Sequence, residues 1–176
     1  MNARIWDLKK QWLRQELKDA ALHSPVLQIV WEQDHGDEYR AVVRLHTETL
    51  VRSPGGAVVR AGPVVLGIRY HRRFLAEAPI PWEIVTVLAP ALPFHPNINM
   101  AGALCLGHPP PGVSLTQVLH TAWAAVTFNM RLVNTVEWQG LNAEAAAYVR
   151  AHKEEFPLTP RGLFEAAPSD APEAEK

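Results

Sequence analysis

The chain holds a single cysteine, Cys105, among 176 residues. An intramolecular disulfide is therefore excluded as a source of stability, in keeping with a reducing compartment. Charge of one sign is missing too: 17 basic and 18 acidic side chains leave a formal net charge of −1. Mixed along the chain, they give no electrostatic footprint for nucleic acid or for an anionic membrane surface. Long apolar runs are also absent. The most apolar stretch, 84–94, is too short to span a bilayer and is broken by Pro90 and Pro93. Residues 1–10 are polar and charged, with no secretory signal visible. The expectation is a cytoplasmic protein with neither nucleic acid nor membrane as partner. Apolar residues are plentiful at 48%, which excludes disorder as the main state. The length suits one domain with a substantial core.

Periodicity divides the chain. Over residues 3–22 the spacing predicts a helix, with Trp6, Leu13, Leu17 and Ala20 near one face and Ile5, Leu8 and Trp12 widening the apolar stripe. Lys9, Lys10, Arg14 and Lys18 fall mostly off it, as a solvated basic face or one that meets a partner. Ser24-Pro25 ends the helix. Four runs rich in β-branched and aromatic residues follow, at 26–31, 39–46, 64–70 and 82–88, separated by turn-forming residues. They predict a four-stranded antiparallel meander, with a small extra hairpin around Ser53-Pro54-Gly55-Gly56. From Ser114 the helical period returns, carried by Leu115, Val118, Leu119, Ala122, Trp123 and Val126, with Ser114 and Gln117 as a capping box. Another helix is expected from Asn142 to about Glu155. The fold class is α+β. A domain over 1–156 is expected, followed by a flexible Pro/Ala/acidic tail over 157–176.

Between the fourth strand and the Ser114 helix, residues 89–113 form a long irregular connection that contains Cys105. Long connections without secondary structure are often functional. A free cysteine is usually a small buried hydrophobe, and in such a chain it is also a candidate nucleophile. Cys105 and His108, with His95 and His120, suggest a zinc set as a further option, although zinc sites built on one cysteine are uncommon.

The segment reads Phe94-His95-Pro96-Asn97-Ile98-Asn99-Met100-Ala101-Gly102-Ala103-Leu104-Cys105-Leu106-Gly107. It resembles the ubiquitin-conjugating enzyme family, in which a His-Pro-Asn tripeptide after the fourth strand precedes the nucleophilic cysteine. In this chain Cys105 follows Asn97 by eight positions, inside Gly102-x-Leu104-Cys105-Leu106. The layout agrees over roughly 3–155, and the residue-level similarity is concentrated in 94–107, with an echo at Asn142-Ala143-Glu144.

The resemblance implies a ubiquitin-conjugating-like fold and a transferase that carries a ubiquitin-like protein as a thioester on Cys105, passing it to lysines of target proteins. Chemically this is reasonable. A free thiol with a pKa of about 8.5 is partly thiolate at neutral pH, and thiolate is a strong nucleophile. Asn97 is then the family's candidate for a side-chain donor to the developing oxyanion, worth on the order of 3 kcal/mol in other enzymes, or for the residue that shapes the loop. His95, Pro96 and Gly102 support the site structurally. Counting back from Asn142, the acidic residue that assists the acceptor falls near Gln139, with Glu137 close enough to substitute. Lys9, Lys10 and Arg14 are implied as a docking face for an adenylating, ATP-using activating enzyme. No metal or cofactor is expected in the chain itself. The Tyr-Pro-Phe-x-Pro-Pro run and the tryptophan after the nucleophile are absent, which points to the family's divergent bacterial members. Those tend to act in anti-phage conjugation pathways alongside a JAB-type deconjugating peptidase. The alternative from the same resemblance is an inert module of the same fold that binds a ubiquitin-like protein or a partner without transfer.

Overall fold

The computed structural model describes residues 3–134 and 140–165. Helix α1 (Ala3–His23) opens the chain, and Trp6, Leu13, Leu17 and Ala20 are its buried residues. These four recur on one side of a 3.6-residue period, and each large apolar side chain removed from water stabilises by about 1.5–3 kcal/mol. Ile5, Leu8 and Trp12 do not widen the buried stripe. They are 53%, 51% and 67% exposed, because the sheet covers less of the helix circumference than the apolar residues span.

Strands β1 (Leu27–His35), β2 (Glu38–Leu45), β5 (Val64–His71), β6 (Val85–Ala89) and β7 (Ala103–Leu104) form one sheet in the order β1-β2-β5-β6-β7, each neighbour antiparallel. The architecture is α+β, with an N-terminal helix and an antiparallel sheet. It departs from a four-stranded meander in one way: the short β7 adds a fifth strand. The expected extra hairpin around Ser53–Gly56 is present as β3 (Thr49–Arg52) and β4 (Val58–Ala61), a separate sheet between β2 and β5 in the chain. Trp82 is not in β6. It lies in the turn before the strand and is 45% exposed.

Period-two alternation sets the inner face. Tyr39, Ala41, Val43 and Leu45 in β2 and Val64, Leu66, Ile68 and Tyr70 in β5 are buried, with less buried residues between them. Against this face pack α1 and α2 (Leu115–Val126). Ser114 caps α2 by accepting the Gln117 amide at 3.1 Å. Helix α2 is buried on most sides, as a central helix must be. Helix α3 (Ala143–Ala151) is capped by the Asn142 side chain, which accepts the Ala145 amide at 3.0 Å. A 3-10 turn, Lys153–Glu155, continues it. A second, smaller core joins Leu50 of the hairpin, Phe94, Phe128, Val133, Ala145 and Val149.

Ordered packing continues beyond Phe156. The Leu158 amide donates to the Thr127 carbonyl at 2.9 Å, Trp123 Nε1 donates to the Arg161 carbonyl at 3.0 Å, and Leu163 is fully buried. Residues 157–165 are thus docked on the domain rather than part of a flexible tail. Composition rich in proline suggested otherwise, but the apolar side chains at Leu158 and Leu163 decide it. Among the described residues no helix is long and apolar enough to cross a membrane.

Candidate functional site

The segment between β6 and α2 is built from its own side chains. His95 is completely buried. Its Nε2 is 2.8 Å from the Ala125 carbonyl of α2, and its Nδ1 accepts the Asn97 amide at 2.9 Å. That pattern assigns the proton to Nε2. Burial pushes the imidazole down to about 4, only partly offset by the bond to Ala125. A neutral ring with both nitrogens engaged ties the segment to α2 and has no nitrogen left for a metal. His120 stands exposed on α2, and no group of three or more metal-binding side chains occurs among the described residues. The Pro96 carbonyl accepts the Leu141 and Asn142 amides at 2.8 and 3.3 Å, joining the same segment to the start of α3.

Next comes a narrow hairpin. Ile98 and Leu104 pair as an antiparallel bridge, with Cys105 N–H donating to the Asn97 carbonyl at 2.8 Å and Asn99 N–H to the Ala103 carbonyl at 3.1 Å. Its other side is β7 against β6. Ile98 and Leu104 point inward, 1% and 0% exposed. Asn97 itself lies in the turn that enters the hairpin, and its carbonyl is what receives the Cys105 amide. The turn is made by Asn99 and Gly102. Asn99 Oδ1 accepts the Ala101 and Ala103 amides, both at 2.9 Å. Gly102 has φ +80, and a Cβ there would stand 2.6 Å from the Val87 carbonyl oxygen. The residue that leads into the short β7 strand before Cys105 must therefore be glycine.

Cys105 is a free, half-buried thiol. Asn97 is 6% exposed, and its side chain is engaged at both ends: Oδ1 accepts the Asn134 amide at 2.8 Å, while Nδ2 donates to the Leu132 carbonyl at 2.8 Å. A primary amide has two N–H donors, so one remains after the bond to Leu132. Asn97 therefore ties the segment that follows α2 to the segment that enters the cysteine hairpin, with one N–H beyond the bond to Leu132.

The structure brings together His95, Pro96, Asn97, Gly102 and Cys105. It does not bring Lys9, Lys10 and Arg14 to them. Nor do these form a solvated basic face. Lys10 lies 3.1 Å from Asp7 and 3.8 Å from Asp34, and Arg14 lies 3.1 Å from Asp34 and 3.4 Å from Glu32. Lys9 Nζ sits 5.3 Å from the Tyr70 ring centroid, 3.5 Å from the Gly112 carbonyl. A helix projection shows Asp7, three positions before Lys10, but not Glu32 and Asp34, which belong to β1. Glu137 and Gln139 lie outside the described residues.

Two contributors were not singled out in the sequence. Asn99 organises the turn, and its signal was available: an asparagine two to three residues before Ala101-Gly102 is an Asx-turn pattern. Leu132 and Asn134, which engage Asn97 through their backbones, leave no signal in side-chain identity. Compared with models of protein families, with curated proteins and with solved structures, the chain matches none.

Proposed function

We propose that the chain is a ubiquitin-conjugating-like transferase of the corresponding fold, with Cys105 as its nucleophile. The observation that carries the reading is the backbone bond from the Cys105 amide to the Asn97 carbonyl, which holds a half-buried thiol in a hairpin within the His-Pro-Asn and Gly-x-Leu-Cys-Leu context. The Cys105 thiolate attacks the thioester carbonyl that links the C-terminal glycine of a ubiquitin-like protein to its activating enzyme. The enzyme's thiolate leaves, and a new thioester forms on Cys105. A lysine amine of a target then attacks that carbonyl, the Cys105 thiolate leaves, and an isopeptide bond remains. Thiol exchange between thioesters is close to thermoneutral, so the protein's work is positioning and stabilising an oxyanion. ATP is consumed by the activating enzyme. The setting is a cytoplasmic bacterial conjugation pathway of the anti-phage kind, with a JAB-type peptidase as the reversing activity.

The test is incubation with the activating enzyme and ubiquitin-like protein encoded in the same genome, plus ATP, followed by a non-reducing gel. A thiol-sensitive adduct that vanishes in Cys105→Ala supports transfer. An intact fold with no adduct favours the inert binding module, a reading to which the engagement of Asn97 by Leu132 and Asn134 gives some weight.

A further inference from the structure

Glu16 of α1 reaches a partner 99 positions along the chain: its Oε2 accepts the Leu115 amide at 2.5 Å. Leu115 opens α2, and the first amides of a helix have no partner within the helix itself. A carboxylate placed there also meets the positive end of the helix dipole. Ser114 takes the Gln117 amide, so side chains from two elements complete the start of α2. The bond from Glu16 falls at the far end of the segment that begins at Cys105.

That segment is held at two feet. At the first, Cys105 N–H donates to the Asn97 carbonyl and Leu106 N–H to the Pro81 carbonyl, both at 2.8 Å. At the second, Gly112 N–H donates to the Phe74 carbonyl at 2.6 Å and the Tyr70 hydroxyl to the Val113 carbonyl at 3.0 Å. Burial, and then the Glu16 carboxylate, push the Tyr70 phenol up, so the hydroxyl keeps its proton for that bond. Lys9, on the same helix, adds a longer contact, from Nζ to the Gly112 carbonyl at 3.5 Å. Between the feet, residues 107–111 form an arch with Pro109, Pro110 and Pro111 in succession. Three fixed φ angles stiffen it, so a shift at its far foot is passed on to the near one. The arch and the flank of α2 at Gln117 and Thr121 enclose only a narrow cavity of about 80 Å³.

We infer that Glu16 is a positioning residue for Cys105: from α1 it fixes the junction with α2 and, through the proline arch, the place of the chain that follows the sulfur. The inference rests on the transferase reading above. Displacing a reacting group by about 1 Å costs on the order of 10²-fold where the reaction depends on orientation. A small reagent that approaches the sulfur from any side is far less sensitive. Glu16 acts through the arch, not on the reacting atoms.

The experiment acylates Cys105 with a synthetic peptide thioester ending in Gly-Gly: the sulfur bonds to the carbonyl carbon, the original carbon–sulfur bond breaks and the small thiol leaves as thiolate. Alkylation of the same cysteine by iodoacetamide is the reference. In Glu16→Ala, acylation should slow at least five-fold while alkylation changes less than two-fold. Glu16→Gln keeps an oxygen for the Leu115 amide and should retain more than half of the natural acylation rate. Pro110→Gly combined with Pro111→Gly slackens the arch at two exposed positions, leaves Glu16 in place and should reproduce the selective loss even if Glu16→Ala fails to fold. In amide NMR spectra the Leu106 and Gly107 resonances should shift in Glu16→Ala, and less in Glu16→Gln.

Unmoved resonances at Leu106 and Gly107 overturn the inference. So does an equal fall in acylation and alkylation, which a general loosening of the fold would produce. Natural acylation in the double proline variant, or no rescue by Glu16→Gln, overturns it as well. If the unsubstituted protein is alkylated but never acylated, the transferase reading falls, while shifted resonances still assign Glu16 the placing of the Cys105 segment. Unmoved resonances in that case sink both.

Discussion

Cys105 and Asn97 are joined through the backbone and separated through the side chain: the Cys105 amide bonds the Asn97 carbonyl at 2.8 Å, while the Asn97 amide group turns to Leu132 and Asn134. The backbone position of Cys105 is thereby coupled, through Asn97, to the segment after α2. A change at Asn97 should register in both stability and chemistry.

Asn97→Ala removes the bonds to the Leu132 carbonyl and the Asn134 amide, both only part-buried. Each such bond contributes about 0.5–1.5 kcal/mol, so a lower Tm is expected. Asn97→Asp keeps an acceptor for Asn134 but sets a carboxylate against the Leu132 carbonyl, and should destabilise as well. In both variants thioester formation on Cys105 should persist while discharge to lysine slows more than ten-fold, read by single-turnover assays. Equal loss of loading and discharge would mean that Asn97 acts only through the fold.

His95 predicts an acid-sensitive fold. Its folded pKa is depressed by burial to about 4 from a reference value of 6.5, so between these values the unfolded chain binds the proton more readily. Stability from this group is full above pH 6.5 and is lost as pH falls toward 4, by on the order of 3 kcal/mol. Denaturant titrations at pH 7 and pH 4.5 should show a steeper fall for the natural protein than for His95→Gln, whatever the variant's absolute stability.

Gly102 and Gly107 make a matched pair. Both have positive φ, +80 and +75, but a Cβ at Gly102 would collide with the Val87 carbonyl whereas nothing lies within 4 Å of one at Gly107. Gly107→Ala should cost about 1–2 kcal/mol for the left-handed backbone alone. Gly102→Ala should cost distinctly more, because the hairpin must also part from β6, and thermal denaturation will order the two.

Leu163 tests the docked C-terminal segment. It is fully buried against the main core, so Leu163→Ala should cost about 2–5 kcal/mol. Phe164→Ala, next in sequence and 37% exposed, should cost much less. A flexible segment would show no difference between them.

Much of this was legible from residue order. The four buried positions of α1 and the alternation in β2 and β5 are read directly from apolar spacing, because each element meets a single continuous core. The hairpin that joins Asn97 to Cys105 was not read: residues 89–113 were expected as an irregular connection, and only Gly102 signalled a turn. What could not be read depends on partners far along the chain. Asn97 meets residues 35 and 37 positions away. Arg14 finds its acids on β1, and Ile5, Leu8 and Trp12 face water because nothing described is packed over them. Periodicity reports that a side chain is apolar and which way it points, but not how wide the surface opposite it is.

The β3–β4 excursion leaves the sheet after Leu45 and rejoins it at Val64, and those two residues are register partners. Its feet therefore stand side by side, while its β3 arm is bonded to the segment after β6, Phe94 N–H donating to the Leu50 carbonyl at 2.8 Å and Val51 bridging Pro93. The Ser53–Gly56 tip, beyond those bonds, is a natural port for engineering: an epitope or a fluorescent peptide can be spliced in there without sliding β2 along β5. Any such graft would alter the hairpin arm that carries Arg52 and leave the sheet beneath it intact.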